Sequence, residues 1–143
     1  MGINSKDVRD FMAAARQPMP AEPTVLDGKE KWSRLTMLLE ELSEHKKALA
    51  DLKKASEYNN QRGVEDAIVE IGDSIGDMIF VLIGSALSYG LDIDAIWDEI
   101  ARSNRSKVNE KTGFMDKDST GKVVKPSSYS PPNLRKAIYG RSH

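Results

Sequence analysis

Asp66, Glu70, Asp73 and Asp77 recur at spacings of four, three and four residues. On an α-helix, where each residue advances by roughly 100°, they fall within a wedge of about 60°. Much of the remaining circumference is apolar: Ile68, Val69, Ile71, Ile75, Met78, Ile79, Phe80 and Leu82. A helix apolar nearly all round belongs in the middle of a bundle or at an oligomer interface. Carboxylates in register there repel one another unless cations neutralise them, which reads as a metal site. A solvated stripe, the wet side of the helix, accounts for the same spacing, and this segment by itself leaves both readings open.

A second acidic cluster adds weight to the cation reading. Glu40, Glu41 and Glu44 form an E-E-x-x-E pattern. Glu41 and Glu44 are i,i+3 neighbours and Glu40 and Glu44 are i,i+4 neighbours, so the three can converge. Lys46 and Lys47 nearby favour a solvated face, but like charges clustered on each of two adjacent helices are mutually unfavourable without a counter-ion. An all-oxygen donor set suits Mg²⁺ or Mn²⁺ better than zinc or copper. A carboxylate-bridged di-iron bundle requires a Glu-x-x-His motif on two helices, and neither His45 nor His143 completes one.

The elements that must position these acids are helical almost wherever the chain has a period. Ser5 is placed to cap a short helix through about Arg16, with Val8, Phe11 and Met12 on one side. Gln17 to Pro23 holds three prolines and predicts an extended connection. Asp27 with Glu30 has the form of a capping box and opens a helix to about Leu52, with Leu35, Leu38, Leu39, Leu42 and Leu49 as its apolar stripe. A third helix is expected from near Val64 to about Tyr89, ended by Gly90. A fourth covers about Asp94 to Arg105, with Ile96, Trp97 and Ile100 on one face, and Trp32 and Trp97 read as core aromatics. After Ser106 the composition turns to Gly, Ser, Lys and Pro, which predicts a tail with little regular structure, either a lid or a disordered end. The expected architecture is all-α, a bundle of four to five helices with an irregular C-terminal tail. It forms one domain over 1–143, divided into an N-terminal helix and connection (1–26), a helical core (27–105) and the tail (106–143).

Composition bounds the function. The chain has 143 residues, 39% hydrophobic and 30% charged, which describes a globular protein with a sizeable core. With 21 basic and 22 acidic side chains the formal charge is -1, so neither nucleic acid nor an anionic membrane is an expected partner. The absence of cysteine excludes a disulfide scaffold, a thiolate metal site and a cysteine nucleophile. Met1 to Arg16 lacks a secretory signal's apolar centre, and the apolar run Met78 to Leu87 is too short to span a bilayer and reads as a buried core helix. A cytoplasmic location is the expectation, in the host cytoplasm if the chain is phage-encoded.

With E-E-x-x-E on one helix and Glu70-x-x-Asp73 on the next, the chain resembles the all-α nucleoside triphosphate pyrophosphohydrolase superfamily. That group includes MazG, dimeric dUTPases and phosphoribosyl-ATP pyrophosphohydrolase. Asp7-Val-Arg-Asp-Phe-Met, then Gln17-Pro18-Met19-Pro20, looks like the start of the small MazG-like subgroup. So do Glu70-Ile-Gly-Asp73-Ser-Ile-Gly-Asp77, Ser103-Asn104-Arg105-Ser106-Lys107 and the ending Gly121-Lys-Val-Val-Lys125 through Tyr129 to Pro132. The resemblance implies that Glu41, Glu44, Glu70 and Asp73, with Asp77 ranked below them, hold two or three Mg²⁺ or Mn²⁺ ions. Glu40 or Glu41 would take a proton from the attacking water. Asn104, Lys107, Lys122, Lys125 and Tyr129 would contact the nucleotide or its phosphates.

The implied reaction converts a (deoxy)nucleoside triphosphate to the monophosphate with release of pyrophosphate, in one step or through the diphosphate. The resemblance favours dGTP and GTP, as in phage MazZ-like enzymes, over a pyrimidine-directed enzyme acting on dUTP or dCTP. A non-catalytic helical module that binds nucleotide or a basic partner is the reading from another class. The apolar third helix and the resemblance together imply a homodimer or homotetramer.

Overall fold

The computed structural model describes residues 5–140. Among them the chain is all-α, with five helices and no strand. It forms two compact bodies, one within residues 5–90 and the other within residues 91–140.

The first body is built on two long helices, α2 (Gly28–Glu57) and α3 (Gln61–Ser88), with the shorter α1 (Ser5–Ala14) against α3. Asp27 caps α2 as its sequence predicts, its side chain accepting from the Glu30 backbone N–H at 2.8 Å. The helix runs one turn past Leu52, because Ala55 is buried and the last turn carries a Lys53–Glu57 ion pair. α3 begins three residues ahead of Val64. Asn60 caps it by accepting from Gly63 N at 3.0 Å, and Gln61 and Arg62 bond to Glu65 and Asp66 one turn on. Its end falls where Gly90 was expected to stop it. Gly90 has φ +69°, and a Cβ there would lie 2.0 Å from Glu22 O, so only glycine fits. Thr24 N donates to Tyr89 O at 2.9 Å, tying the proline-rich connection to the end of α3.

Three residues joining α2 to α3 make the pair an antiparallel hairpin. Small residues at seven-residue spacing line its seam: Ala48 and Ala55 on α2, Ala67 and Ser74 on α3, all buried. Small side chains let the backbones approach closely, and the seven-residue repeat keeps one row facing the partner helix. Three contacts fix the register: Ala55 beside Gly63, His45 bonded to Ser74 at 2.9 Å, and Arg34 beside Gly84.

Several expected core residues lie elsewhere. Leu35, Leu39, Leu42 and Leu49 are exposed, as are Trp32 and Trp97. The leucines were expected to mark the buried stripe of α2, yet the close seam is made by alanines one helical face away. The run Met78 to Leu87 divides likewise: Ile83, Ala86 and Leu87 are buried, whereas Ile79, Phe80 and Leu82 are exposed. On α1, Val8 and Met12 are buried at 2% and 1% exposure, but Phe11 is exposed. Ser5 lies within α1 rather than before it. The helix ends at Ala14, and Arg16 turns to φ 56°.

The second body holds α4 (Ile93–Arg105) and α5 (Leu134–Tyr139). Asp92 caps α4 through Ala95 N, and the helix begins at Ile93, one residue before the expected start. The segment after Ser106 is more ordered than its composition predicts. Isolated antiparallel bridges join Asn109 to Phe114 and Lys117 to Val123, with Gly113 and Gly121 in the left-handed conformation beside them. The reason is side-chain bonding that composition does not show. Ser106 Oγ accepts from Ser130 N at 2.8 Å, and Asn133 caps α5. Among the described residues no single helix is long and apolar enough to cross a membrane.

Candidate active site

Glu41 belongs to the seam row of α2, one heptad before Ala48 and two before Ala55. The register set by His45–Ser74 and Arg34–Gly84 brings it opposite Asp77 on α3. Its side chain is therefore half-buried, and its Oε2 is fully buried with no hydrogen-bond partner. Desolvation pushes the Glu41 carboxyl above the ordinary carboxylate range. The negative charges of Glu44, Asp77 and Asp73 push it further the same way. Four of the expected acids thus surround one electrostatic focus.

Glu70 lies one turn before Asp73 on α3. It lines a cavity of about 500 Å³ together with Glu44, Lys47, Ala48 and Asp51. Lys47 Nζ bonds Asp51 at 2.7 Å and also senses the charge of Glu70, so a cation already borders the cluster on that side. Asp66 belongs elsewhere, since it forms an exposed ion pair with Arg62 at 3.2 Å. Glu40 is exposed on the adjacent strip of α2. Among the described residues no three histidine or acidic side chains are drawn into a closed metal cage. Glu41 and Glu44 lie close enough for a side-chain hydrogen bond, which also raises the proton affinity of Glu41.

The donor set itself fits a hard divalent cation. It is all carboxylate, and one of its oxygens is buried without a donor, which is costly unless a proton or cation satisfies it.

Sequence reasoning missed His45 and Ser74. Ser74 is 2% exposed, and its single hydroxyl proton goes to Ile71 O at 3.0 Å. The His45 Nδ1 and Ser74 Oγ atoms share a hydrogen bond at 2.9 Å. This bond pins α2 to α3 one residue from Glu44 and one from Asp73. The heptad offset of Ser74 from Ala67 was the available signal.

A family profile described as phosphoribosyl-ATP pyrophosphohydrolase matches residues 7–104. The chain belongs to that family. Its members form part of the all-α MazG-like nucleoside triphosphate pyrophosphohydrolase superfamily, so this MazG-like chain is a nucleotide pyrophosphohydrolase by family. The match spans both acidic clusters and all of α1 but its first two residues. No curated protein matches the chain.

The remaining expected residues lie in the second body. Lys107 Nζ donates to Asn104 Oδ1 at 2.8 Å, and Lys125 Nζ sits 4.7 Å above the Tyr129 ring. Lys122 is exposed, and its backbone N–H donates to Asp118. A node outside the prediction organises this body. Arg102 forks onto both oxygens of Glu99 at 2.8 Å, and it also donates to Ser130 Oγ and Pro131 O. Asn133 N donates to the same Glu99 at 2.6 Å. These bonds hold the Glu99 carboxyl down to about 2, the Arg102 bonds contributing most.

Proposed function

We propose that the MazG-like chain hydrolyses (deoxy)nucleoside triphosphates to monophosphates and pyrophosphate, using divalent cations held between α2 and α3. The observation that carries this reading is the buried, unpartnered Oε2 of Glu41 among Glu44, Asp73 and Asp77. A carboxylate of raised proton affinity, facing further acids at a seam fixed by His45–Ser74, serves two needs: it ligates a cation and it accepts a proton.

Glu41, Glu44, Glu70 and Asp73 are the residues that would hold Mg²⁺ or Mn²⁺, with Asp77 completing the far side. When bound, such ions neutralise phosphate charge and acidify a bound water. The oxygen of a water molecule attacks the α-phosphorus, the bond from that phosphorus to the bridging oxygen breaks, and pyrophosphate departs with the bonding pair. The proton released from the water passes to the Glu40 or Glu41 carboxylate.

The test is a panel of the eight common ribo- and deoxynucleoside triphosphates with Mg²⁺ and with Mn²⁺, resolving pyrophosphate from phosphate. Pyrophosphate release that disappears in Glu44→Gln and Asp73→Asn is the expected outcome. Near-normal turnover by either variant with Mg²⁺ sinks the ligand assignment, and phosphate release through a diphosphate replaces the one-step scheme.

We also propose that the working form is a homo-oligomer built on the outer face of the hairpin. Leu35, Leu42 and Leu49 on α2, and Ile68, Ile75 and Leu82 on α3, are exposed rows at seven-residue spacing. That period suits knobs-into-holes packing against a second hairpin, and exposed apolar rows of this kind are the surfaces that interfaces cover. Light scattering that gives a monomer mass at working concentration overturns this.

A further inference from the structure

Among the described residues one side-chain hydrogen bond joins the two acid-bearing helices, between His45 Nδ1 and Ser74 Oγ at 2.9 Å. The ion pairs of α2 and α3 stay within one helix: Lys47–Asp51 and Lys53–Glu57 on the first, Arg62–Asp66 on the second. The other seam contacts are weak stops against sliding. Ala48, Ala55 and Ala67 end in single methyl groups, and rows of them present shallow ridges. Arg34 meets Gly84 through the far end of a flexible side chain.

Ser74 is held from two sides. It is buried, and its hydroxyl also bonds Ile71 O at 3.0 Å. Ile71 lies between Glu70 and Asp73, so the hydroxyl is fixed to the turn of α3 that carries those acids. His45 follows Glu44 directly and lies one turn after Glu41 on α2. The bond therefore ties the turn bearing Glu41 and Glu44 to the turn bearing Glu70 and Asp73. Both partners are short side chains, and a hydrogen bond weakens steeply once its angle falls below about 120°. A tie of that kind resists axial movement as a methyl contact does not.

The size of a slip decides whether the tie matters. An α-helix advances about 1.5 Å per residue. A one-residue slip of α2 along α3 moves Glu41 and Glu44 by that distance relative to Glu70 and Asp73. Oxygen ligands of Mg²⁺ sit at about 2.0–2.1 Å, with a tolerance of about 0.2 Å. A binding constellation has to be held to within about 0.5 Å, a third of that slip. Register is therefore a condition for sharing a cation across the seam, beyond the presence of the acids.

We propose that His45 and Ser74 are positioning residues for the cation site, their bond holding the register at which Glu41, Glu44, Glu70 and Asp73 share a cation. Neither is a ligand in this scheme; both act through the acids beside them. Holding the hairpin together is a separate task, which the buried seam residues perform with or without the bond. This inference rests on the cation reading above, and uptake of the ion tests it without any bond cleavage.

Mn²⁺ titration of the full chain, followed by the electron paramagnetic resonance signal of the free ion, reads the site directly. Ser74→Ala and His45→Phe remove the bond while keeping a small residue at the seam and a ring on α2. Each is expected to weaken Mn²⁺ binding about 10-fold, the lower end of what outer-shell partners of a metal site contribute. His45→Asn keeps a polar atom at the same remove from the backbone as Nδ1, and it can turn either a donor or an acceptor to Ser74. It is expected to restore most of the wild-type affinity. A merely structural role would shift the melting temperature of these variants and leave their Mn²⁺ affinity, read well below melting, where it was. If Ser74→Ala fails to fold, His45→Phe decides. A loss in His45→Asn equal to that in His45→Phe overturns the proposal. A wild type that takes up no Mn²⁺ overturns the cation reading and this proposal together, whereas wild-type uptake that both bond-free variants retain overturns this proposal alone.

Discussion

Glu41 on α2 and Glu99 on α4 are both helical glutamates, and their surroundings differ in every electrostatic respect. Glu99 receives Arg102 on both oxygens and a backbone N–H from Asn133, which lowers its proton affinity to about 2. Glu41 faces Glu44, Asp73 and Asp77, with one oxygen buried and unpartnered, and its proton affinity is raised. The first carboxylate is part of what orders the residues 91–140. The second is left in a state that favours a proton or a cation. Perturbation alone therefore does not mark a functional group; its direction, and whether the donors are already present, separates an organising charge from a reactive one.

The largest expected effect follows from that contrast. Glu41→Gln and Asp73→Asn are expected to lower pyrophosphate release by at least about 10²-fold, because each removes a carboxylate from the focus. Loss of hydrolysis in Glu99→Gln of the same size, in a folded protein, would erase the distinction.

Next in size is the response to cations. Mg²⁺ or Mn²⁺ is expected to raise the melting temperature of the wild type, since a ligand that binds the folded form stabilises it by mass action, and to do little for Glu41→Gln. The sign of the pH effect without metal is also fixed. For Glu41 the folded protein holds its proton to higher pH than the unfolded chain does. Its contribution to stability therefore falls as pH rises from the ordinary carboxylate value through the raised one. Metal-free Glu41→Gln should accordingly melt above metal-free wild type at neutral pH. Melting curves with chelator and with added cation check both statements.

Glu99 carries the opposite sign. Its contribution is present above about 4.5, the unfolded value, and is lost as pH falls towards about 2. Protection of the Ser130 and Asn133 amides, measured relative to intrinsic exchange at each pH, should fall over that interval, and Glu99→Gln should show the lower protection at neutral pH. Protection that does not change over that interval would show that the Arg102 fork does not organise this body. The smallest effect is expected at the seam. Ser74→Ala removes the bond from His45 and should cost about 0.5–1.5 kcal/mol in urea unfolding. A neutral result would mean that the alanine rows alone set the register.

Much of the frame was legible because it is local. The caps Asp27 and Gly90, the break near Asn60 and the acid spacing of the third helix all depend on neighbours a turn or less away, and the helices stand close to where those signals place them. The leucines of α2 were legible as a stripe but not as to what the stripe meets. Leu35, Leu42 and Leu49 have the period of a buried face, yet the hairpin seam is made by Ala48 and Ala55, because closely packed helices favour small side chains. Asp66 shares the wedge of Glu70, Asp73 and Asp77 on paper, but Arg62, one turn before it, takes its charge. The tail misled for a related reason. Its glycines and prolines describe backbone freedom, whereas its order comes from Arg102, Ser106 and Ser130 bonding across more than twenty residues.

By itself, then, the sequence determined that this chain is helical, that two of its helices carry clustered acids and that its motifs are those of a nucleotide pyrophosphohydrolase family. Those properties are written in spacing and residue type. Only the tertiary structure decided which acid is buried at the seam, that Arg34 has no acidic partner among the described residues, and that Glu99 is held by a fork of donors. Each of these depends on what a second segment brings within a few ångströms, and desolvation and charge pairing act over that distance.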